Sequence, residues 1–170
     1  MNGHPGGEEH TRRMLALADL PAGASVLDMG AGGGEAVRLM RSLGFAARGL
    51  DLAPRGDGVA QGDFLHTAYL DGHFDAVLSQ CAFFVSGDVP GALREAHRIL
   101  KPGGKLLLSD VFFENPEPLL QAAGFELLQL EDMTAAWREY YLEALWREDT
   151  SCCEIPRGKC AYWLIIARRV

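Results

Sequence analysis

Three glycines at alternate positions follow a short apolar run, and this spacing is typical of a loop that holds a ligand. Val26 and Leu27 form the apolar run, and residues 28–34 read Asp-Met-Gly-Ala-Gly-Gly-Gly. Glycines let a ligand approach the backbone closely, and the first turn of a helix has unpaired N–H groups. We therefore predict that a strand, this loop and the helix after it form one wall of a binding site. The helix is predicted from apolar residues at helical spacing: Ala36, Leu39, Met40 and Leu43.

The spacing of the same glycines argues against a dinucleotide. The dinucleotide fingerprint, G-x-G-x-x-G, needs a glycine at position 35 when it is counted from Gly30, and the chain has Glu35 there. Counted from Gly32, the third glycine is replaced by Val37. A carboxylate beside the helix N-terminus disfavours a pyrophosphate at that place. The loop therefore favours a ligand without phosphates and disfavours a nicotinamide-dependent oxidoreductase, and a tight turn without a ligand is the alternative.

Acidic residues follow the next two predicted strands. Residues 46–50 form a predicted strand that ends in Asp51, where a carboxylate accepts hydrogen bonds from ribose hydroxyls. A third strand, near residues 59–60, leads to the sequence Gly62-Asp63-Phe64. The carboxylate and the ring in that sequence suit the amino group and the face of an adenine. Each feature has a structural alternative, which is a solvated strand end for Asp51 and a plain turn for residues 62–64.

At this point the sequence resembles the class I S-adenosylmethionine-dependent methyltransferases. Residues 28–34 look like the first motif of that family, and Asp51 and the Gly62-Asp63 turn match its ribose and adenine contacts. Residues 74–78 are similar to its fourth-strand motif. Residues 92–106 resemble the helix, turn and fifth strand of the small-molecule branch, methyltransferase type 11, which includes quinone-biosynthesis enzymes.

The resemblance extends from residue 25 to residue 110, and it implies a cofactor with a set of residues that bind it. The implied cofactor is S-adenosyl-L-methionine. The first motif would surround its methionine and ribose, the acidic strand end would bind the ribose hydroxyls, and the turn after the third strand would contact adenine. The implied cofactor-binding residues are Asp28, Gly30, Ala31, Gly32, Gly34, Asp51, Leu52, Asp63, Phe64 and Gln80.

The alternation of strand and helix patterns predicts an α/β fold, and the resemblance implies how its sheet is arranged. We expect a three-layer Rossmann-like sandwich around a mostly parallel seven-stranded sheet with an antiparallel last strand. The whole chain, residues 1–170, is predicted to be one domain with an N-terminal helical arm (1–24) and a substrate-side cap (131–160). The cap should contain a helix with Thr134 as its N-cap. Ligands of such sheets bind beyond the carboxyl ends of the parallel strands.

The same edge of the sheet is predicted to carry the substrate side of the site. Cys81 follows the fourth strand, and Cys152 and Cys153 lie in the predicted cap. Thiols in one pocket would suit arsenite or another thiophilic acceptor, and thiols that only pack are the alternative. Tyr140 belongs to an aromatic-rich helix that could roof the pocket, and a core or dimer-forming role is the alternative. The chain has no Cys-x-x-Cys zinc spacing, so no metal site is predicted.

The histidines have no partner spacing that identifies a site. We expect His10, His66 and His73 near the rim of the pocket and His4 in a mobile start of the chain. The Gly- and Pro-containing residues 4–7 fit either a disordered tail or an arm that folds over the cofactor.

Composition limits the partners of this chain. It has 170 residues, 48% of them hydrophobic, with a net charge of −7 and a pI near 5.2. These values predict one domain with a sizeable core and disfavour nucleic acid, which favours a basic face. No apolar run reaches the ~18 residues of a membrane-spanning helix, and residues 1–7 have no signal-peptide pattern. We therefore expect a cytoplasmic protein with free thiols, a small-molecule partner and no membrane insertion.

The predicted activity is transfer of a methyl group from S-adenosyl-L-methionine to a small-molecule acceptor by in-line displacement. Alignment of the reacting atoms supplies most of the rate, and no residue is marked as an obligatory base, so the catalytic residues stay unassigned. Residues 79–82 read Ser-Gln-Cys-Ala rather than the Asn/Asp-Pro-Pro-aromatic motif, which disfavours DNA and amide methylation. Two alternatives stay open: methylation of a thiol or metalloid with the help of the cysteines, and a cofactor-binding module without catalysis.

Overall fold

The computed structural model describes residues 4–146 and 158–170. Within them the chain forms a seven-stranded sheet in the order β3-β2-β1-β4-β5-β7-β6. β7 pairs antiparallel with β5 and β6, and the other neighbouring strands are parallel, so the predicted sheet is confirmed. The strands are β1 Ser25–Met29, β2 Ala46–Asp51, β3 Val59–Gln61, β4 Phe74–Gln80, β5 Leu100–Phe112, β6 Phe125–Asp132 and β7 Ala161–Arg169.

Helices cover both faces of this sheet: α1 Gly7–Ala18, α2 Glu35–Ser42, α3 Val89–Ile99, α4 Glu117–Ala122 and α5 Thr134–Trp146. Neighbouring side chains of a strand point to opposite faces, and Leu107 and Leu108 of β5 accordingly belong to different apolar clusters. Met14 of α1 and Met40 of α2 are fully buried in the cluster of Leu107. Leu93 of α3 is fully buried in the cluster of Leu108. The predicted three-layer sandwich is confirmed.

The start of α5 differs from the sequence prediction. Thr134 is the first residue of the helix and not its N-cap, because the carboxylate of Asp132 accepts the hydrogen bond from the Thr134 N–H at 2.8 Å. The Thr134 hydroxyl instead accepts a hydrogen bond from the N–H of Tyr162 at 3.0 Å. Tyr162 lies near the start of the antiparallel β7, so this bond holds α5 at the edge where the parallel strands end.

The connection between β2 and β3 is short. Connections between parallel strands generally need a dozen or more residues, and here residues 52–58 suffice. They suffice because Val59 pairs with Gly49, so the chain returns along β2 by only two residues before β3 begins. The loop folds over the glycine loop, where the N–H of Arg55 donates to the carbonyl of Gly32 at 3.0 Å. The β2–β3 loop thus becomes a second wall beside the glycine loop.

Two other sequence expectations concern segments outside the sheet. The predicted cap comprises residues 131–160, of which the structure describes 131–146 and 158–160. The first of these ranges contains the end of β6 and the whole of α5. Cys152 and Cys153 lie outside the described residues. In the part of the chain that the structure describes, no helix is both long and apolar enough to cross a membrane.

Candidate functional site

A cavity of about 770 Å³, which we call the edge cavity, opens where β1, β2, β3 and β4 end. The glycine loop, the β2–β3 loop, the turn after β3 and the segment after β4 all contribute to its wall. Seven of the ten predicted cofactor-binding residues line it, together with Cys81. Its lining residues are Gly30, Gly32, Gly33, Glu35, Arg38, Asp51, Leu52, Arg55, Gly56, Asp63, Phe64, Leu65, Gln80, Cys81, Ala82, Val85 and Ser86.

The glycine loop is tied to β2 and needs a glycine at position 30. The N–H groups of Gly30 and Ala31 both donate to the carbonyl of Leu50, at 2.9 and 3.1 Å. Gly30 has a φ of 88°, in the left-handed region that favours glycine. A Cβ at this position would lie 2.2 Å from the Cβ of Ala82. The loop therefore presents bare backbone to the cavity at the junction of β1 and β4.

Asp51 connects the end of β2 to both loops around it. Its Oδ2 accepts a hydrogen bond from the Gly32 N–H at 2.8 Å, and its Oδ1 accepts one from the Ala53 N–H at 2.9 Å. A carboxylate has about four acceptor positions, so these two bonds leave capacity for hydroxyl donors from a ligand. The carboxylate lines the edge cavity in a fixed orientation.

Asp63 and Phe64 form the wall after β3. The Asp63 Oδ1 accepts a hydrogen bond from the Leu65 N–H at 2.8 Å, which orients the carboxylate. Phe64 is buried and packs against Phe83, with 5.7 Å between the ring centroids. Both side chains line the edge cavity, so a carboxylate and an aromatic ring stand next to each other there.

Asp28 lies beneath the glycine loop and outside the edge cavity. It lines a second cavity of about 70 Å³, the small cavity, together with Ala31, His4 and Gln80. Burial raises the pKa of Asp28 to about 7, and the nearby carboxylates of Asp51 and Glu35 act in the same direction.

Gly34 lines neither the edge cavity nor the small cavity, unlike the other predicted cofactor-binding residues. It precedes α2 as its N-cap with a φ of 76°, and a Cβ there would lie 3.0 Å from Val59. A glycine at position 34 therefore allows the loop to turn into α2 and allows Val59 of β3 to pack close to it.

The N-terminal arm reaches the site through Gln80. The Gln80 Oε1 accepts a hydrogen bond from the Thr11 hydroxyl at 3.1 Å, and its Nε2 lies 3.4 Å from the Nδ1 of His4. His4 also lines the small cavity, which places residues 4–7 beside the glycine loop. The prediction for His73 is wrong, because it precedes β4 at the opposite edge of the sheet, where it packs against Phe74 with ring centroids 4.7 Å apart.

Cys81, which was predicted to face the substrate, lies against a buried tyrosine. Its Sγ is 3.2 Å from the hydroxyl of Tyr162, and that hydroxyl is 2.9 Å from the Oγ of the buried Ser109. Burial raises the pKa of Tyr162 above its ordinary value, so the phenol keeps its proton. Cys81 thus lines the edge cavity while its thiol is engaged by the wall behind it.

The aromatic residues of α5 pack beside this group. Trp137 and Tyr141 are buried, and the Trp137 ring stacks on Tyr162 with 6.0 Å between the centroids. Tyr140 is half-buried and packs against the same cluster, as Cys81 does. The core interpretation therefore fits Trp137 and Tyr141. Among the described residues, no group of three or more His, Cys, Asp and Glu side chains could hold a metal ion.

Sequence reasoning assigned no role to Asp110 or Arg55. The carboxylate of Asp110 accepts hydrogen bonds from the N–H groups of Phe84 and Val111, at 3.0 and 2.8 Å, and so holds the segment after β4. Burial raises the pKa of Asp110 to about 6, and the hydrogen bonds from backbone N–H groups oppose that shift. Its position close behind the apolar residues 106–108 of β5 was the available signal. Arg55 lines the cavity because the β2–β3 loop is short, which no local pattern indicates.

A mostly parallel sheet in this order, with a glycine loop after β1 and acidic residues at or after the ends of β2 and β3, has the architecture of the class I methyltransferases. Residues 27–108 match the family model Methyltransf_11, which is described as a methyltransferase domain. These residues, about half of the chain, therefore carry a methyltransferase domain, and the fold around them is that of the S-adenosyl-L-methionine-dependent class I methyltransferases.

Three curated relatives align with part of this chain. A glycine/sarcosine/dimethylglycine N-methyltransferase of Actinopolyspora halophila is 34% identical over 120 residues, covering 61% of this chain and 21% of that protein. An arsenite methyltransferase of Aquipseudomonas alcaligenes is 33% identical over 124 residues, covering 58% and 36%. A demethylmenaquinone methyltransferase of Tropheryma whipplei is 31% identical over 125 residues, covering 64% and 50%. The aligned part of this chain thus spans at most half the length of these relatives.

A solved structure shows the same fold over nearly the whole chain. The phosphoethanolamine N-methyltransferase 2 of Haemonchus contortus, in complex with S-adenosyl-L-methionine, has a TM-score of 0.78 and 19% sequence identity. The match covers 98% of this chain and 53% of that chain.

Proposed function

We propose that this protein transfers a methyl group from S-adenosyl-L-methionine to a small-molecule acceptor by in-line displacement. The observation that carries the proposal is the edge cavity, in which the glycine loop, Asp51 and Asp63 face one space of about 770 Å³. When bound, the cofactor supplies a methyl group on a positively charged sulfonium, whose charge is lost as the methyl group leaves. The protein therefore has little acid–base work to do, and alignment of the reacting atoms is its main contribution.

The residues of the edge cavity fit this cofactor. Asp51 has acceptor positions left for the two ribose hydroxyls. Asp63 would accept a hydrogen bond from the adenine amino group beside the ring of Phe64, with Leu52 as further apolar lining. The bare backbone at Gly30 and Gly32 leaves room for the methionine part. In this arrangement Gln80 lies at the methionine end, next to the small cavity.

The acceptor would enter beside the segment after β4. Cys81, Ala82 and Val85 line the edge cavity on that side. Asp110 fixes the segment through the Phe84 N–H, so we assign Asp110 as a positioning residue. We assign no general base, since a nucleophile that is unprotonated at neutral pH needs none.

A small acceptor is supported by the relatives, whose names refer to amino acids, arsenite and a quinone. The net charge of −7 is a further argument against a nucleic-acid substrate. We propose the cytoplasm as the location because Cys81 and Cys160 are free thiols, which fits a reducing compartment.

A second candidate acceptor is a thiol or a metalloid. The observation in its favour is the position of the Cys81 thiol in the wall of the edge cavity. Turnover of trivalent arsenite that is lost in Cys81→Ser but kept in Cys160→Ser would support it. Equal turnover of arsenite by both variants would contradict it.

Cofactor binding and turnover test the proposal separately. Calorimetry with S-adenosyl-L-methionine should show saturable binding, and a panel of amines, phenols, thiols and arsenite should release S-adenosylhomocysteine for at least one compound. Tight binding without product above background across the panel would favour a non-catalytic binding module. Absence of cofactor binding would contradict the proposal itself.

A further inference from the structure

The edge cavity is lined by side chains of both charges, and these side chains differ in their hydrogen bonds and ion pairs within the protein. Asp51, Asp63 and Glu35 give it three carboxylates, and Arg38 and Arg55 give it two guanidinium groups. Arg38 lies 3.3 Å from the carboxylate of Glu35 and donates to the carbonyl of Gly33 at 2.8 Å. Arg55 makes no side-chain hydrogen bond or ion pair within residues 4–146 and 158–170. One guanidinium group of the cavity is therefore available to an anion.

The backbone of the β2–β3 loop sets the position of Arg55. Its N–H donates to the carbonyl of Gly32 at 3.0 Å. The next residue, Gly56, passes so close to the glycine loop that a Cβ on it would lie 2.1 Å from the carbonyl oxygen of Gly33. These two contacts hold the loop against the glycine loop and direct residue 55 to the cavity.

The end of the Arg55 side chain lies close to the place that a side chain at Gly32 would occupy. Its Nη2 lies 3.0 Å from the position of a Cβ on Gly32. Arg55 also lines both the edge cavity and the small cavity, where Asp28 and Gln80 lie. The guanidinium group thus faces the side of the glycine loop on which the methionine part of the cofactor would lie.

We propose that Arg55 binds the carboxylate of the methionine part of S-adenosyl-L-methionine, an inference that rests on the proposed function. That carboxylate is the anionic group of the cofactor. The three carboxylates of the edge cavity repel it, and Arg38 is engaged by Glu35. A guanidinium group pairs with a carboxylate through two parallel hydrogen bonds, which suits this role. A carboxylate of the methyl acceptor is the other source of the same chemistry.

Three ligands, whose dissociation constants are measured by calorimetry, test whether Arg55 binds the carboxylate of the cofactor or a carboxylate of the methyl acceptor. S-adenosylhomocysteine carries the carboxylate, decarboxylated S-adenosylhomocysteine lacks it, and 5′-methylthioadenosine lacks the whole amino acid part. Arg55→Gln should weaken binding of S-adenosylhomocysteine about tenfold, the size expected for one charge-assisted interaction at an exposed residue. The same variant should bind the other two ligands within about twofold of the unmodified protein, and Arg55→Lys should restore part of the loss.

Arg48→Gln is the matched control. Arg48 is exposed on β2 and lines neither the edge cavity nor the small cavity, so its removal changes the net charge by the same amount without touching the site. It should bind all three ligands as the unmodified protein does, and melting temperatures should show that both variants are folded.

Several results would overturn the assignment. Equal weakening of all three ligands in Arg55→Gln would indicate a general effect on the loop. Unchanged binding of S-adenosylhomocysteine would leave the acceptor as the source of any carboxylate, with the proposed function intact. Failure of the unmodified protein to bind S-adenosylhomocysteine or S-adenosyl-L-methionine would overturn both the assignment and the proposed function.

Discussion

Gly30 and Ala82 meet where the glycine loop crosses the segment after β4, and the space between them excludes a side chain. A Cβ on Gly30 would lie 2.2 Å from the Cβ of Ala82. This contact joins the wall of the proposed cofactor site to the wall of the proposed acceptor site. It therefore sets the relative position of the two partners in the proposed reaction.

Gly30→Ala should destabilise the protein by ~2–4 kcal/mol in denaturant unfolding, through a left-handed backbone cost and an overpacking cost. Gly44→Ala is a matched control, because Gly44 has a φ of 89° and nothing within 4 Å of its Cβ position. The control should lose only the backbone part, ~1–2 kcal/mol. Equal losses in the two variants would show that the contact with Ala82 relaxes at no cost.

Asp51→Ala should weaken binding of S-adenosyl-L-methionine by ~1–3 kcal/mol, since the ribose hydroxyls would lose their acceptor. Asp57→Ala is a suitable control, because Asp57 lies in the same loop but lines neither cavity. Calorimetry checks both variants. An affinity unchanged by Asp51→Ala would remove the ribose assignment.

Asp28 should make stability depend on pH. Its pKa is raised to about 7 in the folded protein, so between pH ~4 and ~7 the folded state holds a proton that the unfolded state has released. The free energy of unfolding should therefore fall as pH rises through this window, by at most ~1.4 kcal/mol per pH unit, and level off above it. Asp28→Asn should lose this contribution and keep the one from Asp110, whose raised pKa of about 6 acts between pH ~4 and ~6. Parallel stability curves for the two proteins would contradict the burial of an ionisable Asp28.

Asp110→Asn should raise the KM for the acceptor more than it weakens cofactor binding, because the Asp110 carboxylate holds the Phe84 N–H at 3.0 Å. Exchanging a charged acceptor for a neutral one weakens such a hydrogen bond by ~1 kcal/mol. Steady-state kinetics with the acceptor identified from the panel, together with calorimetry of S-adenosyl-L-methionine, separates the two effects. Equal changes in both constants would show that Asp110 supports the whole edge of the sheet.

Local sequence patterns were sufficient for the order of strands and helices and for one wall of the site, whereas the antiparallel last strand was implied by the family resemblance. The apolar run before Asp28 and the period of α2 predict a strand, a loop and a helix in that order. Parallel strands place their carboxyl ends together, so Asp51 and Asp63 had to meet at one edge. The same rule contradicts the expectation for His73, because the residue before a strand lies at the opposite edge.

The contacts between distant segments were decided by the tertiary structure. Residues 52–58 lie over the glycine loop because β3 starts beside Gly49, and this places Arg55 in the cavity. His4 reaches Gln80 because α1 packs on the face that buries Met14. By itself the sequence determined the order of the elements and the edge at which the predicted cofactor-binding residues lie, since both follow from local periodicity and strand direction. Which side chains from other segments complete that edge depends on packing between elements far apart in the chain, which no local pattern encodes.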